Sequence, residues 1–507
     1  MKDLYLGIDI GSSSSKGVLV ASGGEIIARA QTTHEMSLPR PGWVEMDAES
    51  DWWAEFVSLA RRLTPRSDGR IAAVGVSGIG PCLLPADNAD RPLRPAILYG
   101  IDTRAADQVR ELTERYGADR ILARGGSALS SQAVGPKLLW LRRREPEVWA
   151  RTKRFFMANS YIIRRLTGAY VLDHHSASQC DPMYDLEAST WARDWATDIA
   201  PGLDLPELRW SDEVAGHVTA TASIETGIPP GTPVATGTVD AWAEALSVGA
   251  RDPGDTMIMY GTTLFIVSAA HRIIPHPAMW GTAGVSRGSR TFAAGMATSG
   301  ALTSWFRALV GLPSFEDLLS DARAAGPGAN SLVVLPYFAG ERTPIFDPDA
   351  RGVIVGLTLR HGRGELYRAL LESTAYGVRH ILEAMENAGA APRRLIAVGG
   401  GTKGDLWTQI VSDVTGRSQD IPSETIGAAY GDAMLAAQAT GVSDTSAWNP
   451  VQAVVHPNKS VAAEYDQLYE IYRSLYPATQ DQAHALAELQ KSTGGRDGAE
   501  AGTGGSG

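Results

Sequence analysis

Near the start of the chain, an acidic residue at the end of a predicted strand precedes a turn rich in glycine and serine. Residues 9–17 read DIGSSSSKG. Gly11 lets the backbone approach a phosphate closely, and turn N–H groups and serine hydroxyls can donate to phosphate oxygens. Asp9 could hold Mg²⁺ through water, because this ion keeps several waters and uses few carboxylates. The alternative is a serine-rich hairpin turn with a solvated aspartate. The Walker A string GxxxxGK[ST] is absent.

Two further glycine-rich segments are candidates for binding the same nucleotide. The turn YGTT at residues 260–263 lies between two predicted strands, at the same place in a second unit that resembles the first. Both turns can therefore face one nucleotide across a cleft. Residues 399–404 read GGGTKG between a predicted strand and a predicted helix. Glycines there let an adenine or ribose pack against bare backbone at a helix N-terminus, whereas the alternative is an ordinary βα loop.

A candidate proton acceptor is Asp240, in the segment GTVDAWAE at residues 237–244. A short strand-like run precedes it, and Asp240 opens a predicted helix. An aspartate in that place could accept the proton of an attacking hydroxyl, which is the base role that phosphoryl transfer requires. The alternative is an N-cap aspartate, a common use of this residue at a helix start.

The elements that position these residues read as two similar units. The apolar patterns predict strands at 4–10, 16–21, 25–33, 71–77, 255–267 (broken by a turn), 291–294 and 395–398, and helices at 52–63, 301–310, 365–388 and 405–414. The strand–turn–strand opening occurs in both units. The sequence therefore predicts a duplicated α/β fold with a cleft between a domain of residues 1–250 and a domain of residues 251–490.

Composition excludes several classes of protein. A chain of 507 residues is too long for one core. A net charge of −11 argues against nucleic acid or an anionic membrane as a partner. Two cysteines fit a reducing compartment, and neither a signal peptide nor a membrane span is expected, so we expect a cytoplasmic protein. Half of residues 494–507 are glycine, which predicts a disordered tail over residues 491–507.

Taken in order, these segments resemble the FGGY family of carbohydrate kinases, from about Leu4 to about Tyr476. The most specific match is GVIVGL at residues 352–357, followed after seven residues by ELYRALLE. The segment GGGTKGDLWTQIVSDV, which begins at residue 399, resembles the family's adenosine-binding segment. The resemblance implies a two-domain actin-like, ribonuclease H-like fold with its active site between the domains. It also implies transfer of a phosphoryl group from ATP, with Mg²⁺, to a hydroxyl of a small-molecule sugar.

The resemblance also assigns residues. Asp240 matches the catalytic base and contacts the sugar, and Asp9 matches the metal-associated aspartate. The phosphate-contacting positions are Ser12, Ser13, Lys16 and Thr262, and the nucleotide-contacting positions are Gly300, Gly400 and Gly404. The sugar-binding positions are the pair Asp102 and Arg104, together with Gly80. A homodimer is among the expectations, although the sequence does not fix the oligomeric state.

The sequence departs from the family at the presumed sugar pocket. Gly80 and Pro81 replace the Met-His pair usual in xylulokinases, the segment YGIDTR at residues 99–104 is one residue longer, and the Gln-Arg-Glu of glycerol kinases is absent. A ketopentose such as xylulose or ribulose is the first expectation. Hexuloses, gluconate, other aldonates, erythritol and glycerol remain open.

Two alternatives of another class are a non-catalytic ATP sensor of this fold and a sugar-binding regulator that has lost catalysis. A nucleotide sensor needs neither Asp240 nor the Asp102 and Arg104 pair. A regulator that has lost catalysis would be expected to lack Asp9 or Asp240. Both aspartates are present.

Overall fold

Apolar runs in both halves of the chain form the strands of two large sheets. The computed structural model describes residues 2–64 and 69–500, and each large sheet has seven strands. The strands of the first half are β1 Asp3–Ile10, β2 Ser14–Ala21, β3 Ile26–Thr33, β4 Glu45–Met46, β5 Arg70–Gly78, β6 Leu84–Ala86, β7 Ala96–Ile97, β8 Arg154–Phe156, β9 Val171–Asp173, β10 Tyr184–Asp185, β11 Thr190–Trp191, β12 Glu207–Arg209, β13 Val214–His217, β14 Pro233–Ala235 and β15 Thr238–Val239. Those of the second half are β16 Asp255–Tyr260, β17 Leu264–Ala270, β18 Trp280–Ala283, β19 Arg290–Met296, β20 Val333–Leu335, β21 Val353–Val355, β22 Arg394–Gly399, β23 Gln419–Pro422 and β24 Val451–Val455.

Helices alternate with these strands, as the periodicity predicts. They are α1 Ala54–Leu63, α2 Ala106–Tyr116, α3 Ala118–Gly125, α4 Val134–Arg144, α5 Pro146–Arg151, α6 Ala158–Thr167, α7 His174–Ser178, α8 Arg193–Ile199, α9 Ala220–Thr226, α10 Asp240–Ser247, α11 Gly300–Leu309, α12 Phe315–Ala325, α13 Arg363–Asn387, α14 Asp405–Thr415, α15 Ala428–Ala439 and α16 Ala462–Glu500. Among the described residues, no helix is both long enough and apolar enough to cross a membrane.

The two large sheets have the same internal order. The first contains β3-β2-β1-β5-β14 in adjacent positions, and the second contains β19-β17-β16-β22-β23. In each, an antiparallel hairpin leads, and its first strand lies parallel to a strand from later in the same half. The duplication predicted from the repeated strand–turn–strand pattern is therefore present in the fold.

Helices α10 and α15 pack against each other between the two sheets. Apolar residues of α15 bury against β1, β2 and β5, while α10 packs on β16, β17 and β22 of the second sheet. The contact of α15 is close enough to require glycine, since a Cβ on Gly75 of β5 would lie 1.9 Å from the backbone oxygen of Asp432. A boundary near residue 250 thus separates the strands of the two halves, but α15 of the second half lies on the first sheet.

The C-terminal segment extends further in regular structure than its composition predicts. Helix α16 continues to Glu500, so residues 491–500, predicted to be a disordered tail, lie in a helix. Residues 501–507, also in that prediction, are outside the described residues.

Candidate active site

The N-terminal end of α10 and the β1–β2 hairpin turn form one wall of a cavity of about 350 Å³ between the two halves. Sequence-predicted residues that line it are Asp9, Ser12, Ser13, Lys16, Gly80 and Asp240. The second half contributes the opposite wall, with Met259, Thr263, Phe265, Trp280 and Arg342. The structure therefore brings the predicted base, the predicted metal-associated aspartate and the first glycine and serine turn into one site.

A second cavity, of about 880 Å³, lies within the second half. Predicted nucleotide-site residues that line it are Thr262, Gly300, Gly400 and Gly404. The turn after β16 separates the two cavities, because Thr263 lines the first and Gly261 lines the second. A phosphate chain that passes this turn would join a ligand in the larger cavity to the carboxylates in the smaller one.

Asp240 lies at the first residue of α10, and its geometry does not match an N-cap. The N-cap is Val239, and the Asp240 carboxylate accepts the N–H of its neighbour Ala241 at 2.7 Å. An N-cap side chain instead accepts from the second or third helical residue. The carboxylate of Asp240 therefore lies in the cavity wall without the contacts that a capping role requires.

Carboxylates outnumber cations in this cavity, and burial makes their ionisation unfavourable. Burial, followed by repulsion from Asp9, raises the pKa of Asp240 to about 8. Burial likewise raises the pKa of Asp9 to about 6 and that of Glu244 to about 7. Lys16 opposes all three shifts. Perturbed acids that converge in a cleft are characteristic of sites that bind cations or move protons.

The hydroxyl of Ser77 and the carboxyl of Asp432 support Asp9 from behind. The Ser77 hydroxyl lies 3.0 Å from Oδ1 of Asp9 and 2.7 Å from Oδ2 of Asp432. One hydroxyl proton cannot serve two ionised carboxylates, and burial raises the pKa of Asp432 well above its usual range. We therefore assign the proton to Asp432, so that Asp432 donates to Ser77 and Ser77 donates to Asp9.

The predicted sugar-binding pair of Asp102 and Arg104 is the main departure from the sequence prediction. Both side chains are fully buried and line neither cavity. The guanidinium of Arg104 bonds to Asp102 and to Glu45, each at 2.7 Å, and its carbon lies 4.0 Å from the centre of the Trp43 ring. The YGIDTR segment places the pair behind the cavity wall, where these partners already satisfy its charges. Tyr99, from the same segment, lines the cavity instead.

Several cavity residues lie outside the predicted set. They are Tyr99, Gln132, Gln179, Trp242, Glu244, Trp280 and Arg342, with Asp432 in the layer behind. Asp432 carried a usable signal, because it is a single charged residue in the otherwise apolar segment GAAYGDAMLAA. The two glutamines carried no signal, because only the fold brings their loops to the same cavity.

Two sheets of the same internal order, with a carboxylate-lined cavity between them, match the two-domain actin-like, ribonuclease H-like fold. Sequence profiles for the FGGY family of carbohydrate kinases match residues 4–247 with the N-terminal domain and residues 256–440 with the C-terminal domain. The chain therefore belongs to the FGGY family of carbohydrate kinases, whose members use ATP as the phosphate donor.

Individual relatives agree with this assignment. The chain is 30% identical to a xylulose kinase of Lactococcus lactis, over 96% of this chain and 98% of the relative. It is 31% identical to a glycerol kinase of Nocardia farcinica, over 89% and 95%. The structure of a xylulose kinase from Rhodospirillum rubrum superposes with a TM-score of 0.89 at 32% identity, covering 95% of this chain and all of that one. The predicted fold class and enzyme class are thus confirmed.

Proposed function

We propose that the chain transfers the γ-phosphoryl group of ATP to a hydroxyl of a small sugar bound in the first cavity, with Asp240 as the general base. The convergence of Asp240, Asp9 and Lys16 with the turn at residues 260–263 carries this proposal. The nucleotide would lie in the larger cavity, against Gly300, Gly400 and Gly404 and beside Thr262. Ser12 and Ser13 would donate to the transferred phosphate.

The proposed step is an in-line displacement at the γ-phosphorus. An oxygen–phosphorus bond forms from the sugar hydroxyl, the bond to the β,γ-bridging oxygen breaks, and ADP leaves. The hydroxyl proton passes to Asp240, which must be ionised to accept it. Lys16 favours that ionised form, and it opposes the effect of burial on the pKa of Asp240.

The residues present fit a magnesium ion at Asp9. The donors in this cavity are carboxylate oxygens, which this ion prefers. Among the described residues, no group of three or more His, Cys, Asp or Glu side chains is arranged to hold a metal ion. An ion held by Asp9 would complete its coordination with waters and nucleotide phosphates. When bound, it would supply positive charge that favours ionisation of the neighbouring acids.

For the sugar, we propose a ketopentose, with D-xylulose as the first candidate and D-ribulose as the second. Two of the three relatives described above are named xylulose kinases. The glycerol kinase relative makes a polyol the alternative. Gly80 contributes only backbone to the wall. A larger residue would be crowded there, because its Cβ would lie 2.7 Å from a methyl carbon of Val239.

The test is an ADP-release screen of the purified chain against pentuloses, hexuloses, aldonates and polyols, each with Mg²⁺ and ATP. We expect the highest kcat/KM with a pentulose. Sugar-independent ATP hydrolysis, or no turnover with any sugar, would contradict the proposal and favour an ATP sensor. A homodimer and a cytoplasmic location, where ATP is supplied, are part of the same proposal; light scattering and cell fractionation test them.

A further inference from the structure

A chain of hydrogen bonds runs from the second half of the molecule into the wall of the first cavity. The backbone oxygen of Ala283, at the end of β18, lies 2.9 Å from Nδ1 of His175. Nε2 of His175 lies 2.6 Å from the side chain of Gln179. His175 is fully buried and packs on the ring of Trp242, with the ring centres 3.8 Å apart. Gln179 and Trp242 both line the cavity.

The carbonyl of Ala283 fixes the direction of each bond in this chain. A carbonyl oxygen only accepts, so Nδ1 of His175 must carry a proton. Burial lowers the pKa of His175 to about 3, so the ring is neutral near pH 7 and Nε2 presents a lone pair. The group that faces a lone pair must be an N–H. The amide nitrogen of Gln179 therefore faces His175, whichever way the amide is drawn.

This orientation leaves the side-chain oxygen of Gln179 available to the cavity. Within residues 2–64 and 69–500, no hydrogen bond to that oxygen is present, and the side chain is partly exposed to the cavity. Gln132, another amide in the wall, has the opposite orientation. Its oxygen accepts the N–H of Gly100 at 3.1 Å, which leaves its nitrogen available. The cavity thus presents one amide acceptor and one amide donor with fixed directions.

We propose that Gln179 binds a sugar hydroxyl as a hydrogen-bond acceptor and that His175 is its positioning residue. The inference rests on the proposed function, because it concerns the sugar cavity of a kinase. An amide oxygen accepts from a hydroxyl and repels a carboxylate or phosphate, so this part of the cavity suits an uncharged portion of the substrate. Because Ala283 belongs to the second half, contact between the two halves sets the orientation of a sugar-binding group in the first.

The decisive experiment couples Gln179→Leu to monodeoxy analogues of the sugar with the highest kcat/KM in the screen. Removing one neutral hydrogen bond should raise the KM for that sugar by about 3- to 10-fold, with the KM for ATP within about twofold of the parent. One monodeoxy analogue should bind the parent more weakly by a similar factor, yet bind Gln179→Leu as well as the full sugar does. If every analogue loses the same factor in both proteins, Gln179 contacts no hydroxyl and the proposal is overturned.

Two substitutions separate positioning from packing at His175. Asparagine places a nitrogen near Nδ1 and keeps the bond to Ala283, but it loses the acceptor for Gln179. Glutamine places an oxygen near Nε2 and keeps that acceptor. We expect His175→Asn to raise the sugar KM about as much as Gln179→Leu, and His175→Gln to recover most of the loss. Equal effects of the two, with parallel changes in the KM for ATP, would indicate a purely structural role.

Ser178→Ala is the matched control, because it alters another contact between the same two segments. The Ser178 hydroxyl donates to the backbone oxygen of His175 at 2.7 Å and accepts the N–H of Ala283 at 3.2 Å. Its loss leaves the bond between His175 and Gln179 intact, so the sugar KM should stay within about twofold of the parent. A rise equal to that of Gln179→Leu would overturn the assignment.

Calorimetric titration with sugar alone separates failure of this inference from failure of the proposed function. A parent that binds a sugar but does not phosphorylate it would remove the kinase proposal, and the same variants could still be compared by binding. A parent that phosphorylates a sugar while Gln179→Leu matches it in KM and in binding would remove only the present inference. Binding of no sugar in the panel would overturn both.

Discussion

The β1–β2 hairpin and the β16–β17 hairpin have the same pairing and opposite chemistry. One position before the last pair of the first hairpin, Asp9 lies opposite Lys16. At the equivalent position of the second hairpin, Met259 lies opposite Phe265. A carboxylate and an ammonium in one half are thus replaced by two apolar side chains in the other, on a backbone of the same order.

The neighbouring parallel strands repeat this contrast. Ser77 of β5 lies beside Asp9, and Val398 of β22 lies beside Met259. Both strands then end in glycine, at Gly78 and Gly399. The duplicated scaffold supplies two turns that a phosphate chain can approach, but at these matched strand positions only the first half carries charge. We infer that the first half supplies the carboxylates for proton and metal chemistry, whereas the second half supplies the nucleotide cavity, where Arg323 and Lys403 add positive charge beside the backbone.

The largest effect should come from Asp240→Asn, which removes the proposed base and keeps its shape. General-base assistance contributes roughly 10²–10⁴-fold, so kcat should fall by about that factor. Sugar and ATP should still bind within several-fold of normal, because asparagine keeps much of the hydrogen bonding. Asparagine caps a helix about as well as aspartate, so loss of a cap cannot explain such a fall. Retention of more than about a tenth of the activity would fall short of the base contribution and remove Asp240 from that role.

The next effect compares equivalent positions of the two hairpins. Asp9→Asn should lower kcat by roughly 10–100-fold, the usual effect of losing a partner around a metal ion, and should raise the Mg²⁺ concentration needed for half-maximal rate. Met259→Leu, at the matching position, conserves volume and should cost under about 1.5 kcal/mol of stability with kcat unchanged. Equal losses of kcat in the two variants would remove the assignment of charge chemistry to the first half.

The sequence allowed these hairpins to be predicted because their signals are local. Alternating apolar residues and turns rich in glycine and hydroxyls specify strand, turn and strand within about twenty residues. The structure forms β1–β2 and β16–β17 at those places. The start of α10 at Asp240 was predictable for the same reason, since a short strand followed by a helix start is also a local pattern. The role of Asp240 as a base came only from the family resemblance and stays a prediction.

Residues whose position depends on long-range packing could not be predicted in this way. Asp432 reaches Ser77 only because α15 crosses to the first sheet, 355 residues along the chain. Asp102 and Arg104 were predicted to bind the sugar, yet they line neither cavity. Here the reason is the opposite one. Their motif was visible, but whether a charged pair faces a cavity or satisfies itself behind the wall depends on Glu45 and Trp43. An aspartate and an arginine two residues apart in a sequence can form either a ligand-binding site or a buried ion pair, and the sequence alone does not distinguish the two.

A smaller effect is expected where the second half offers backbone to the nucleotide. A Cβ on Gly300 would lie 2.6 Å from the backbone oxygen of Gly261, whereas a Cβ on Gly400 would meet its nearest atom at 4.0 Å. Gly300→Ala should therefore displace the turn after β16, raise the KM for ATP by about 5-fold or more, and cost about 1–3 kcal/mol. Gly400→Ala should leave the stability of the free chain unchanged, so any rise in its KM for ATP would report contact with the nucleotide itself. A change in sugar KM equal to that in ATP KM would contradict the separation of the two cavities.

The smallest effect concerns the stability cost of gathering acids in the first half. The pKa of Asp240 is raised from 3.8 to about 8 by burial and by Asp9. The folded chain therefore holds a proton there between about pH 4 and pH 8, while the unfolded chain is ionised. The stability from this proton is fully present below about pH 4 and is lost as pH rises through about 8. Asp240→Asn stays neutral throughout, so its Tm without metal or nucleotide should equal the parent's only near pH 4, and its excess over the parent's should grow from pH 5 to pH 8 by about 2–4 °C for each kcal/mol that the parent loses. Asp481→Asn removes the same charge from an exposed position and controls for net charge. Scanning calorimetry from pH 5 to pH 8 decides the matter, and an Asp240→Asn difference that does not grow with pH would show that the first cavity bears no such electrostatic strain.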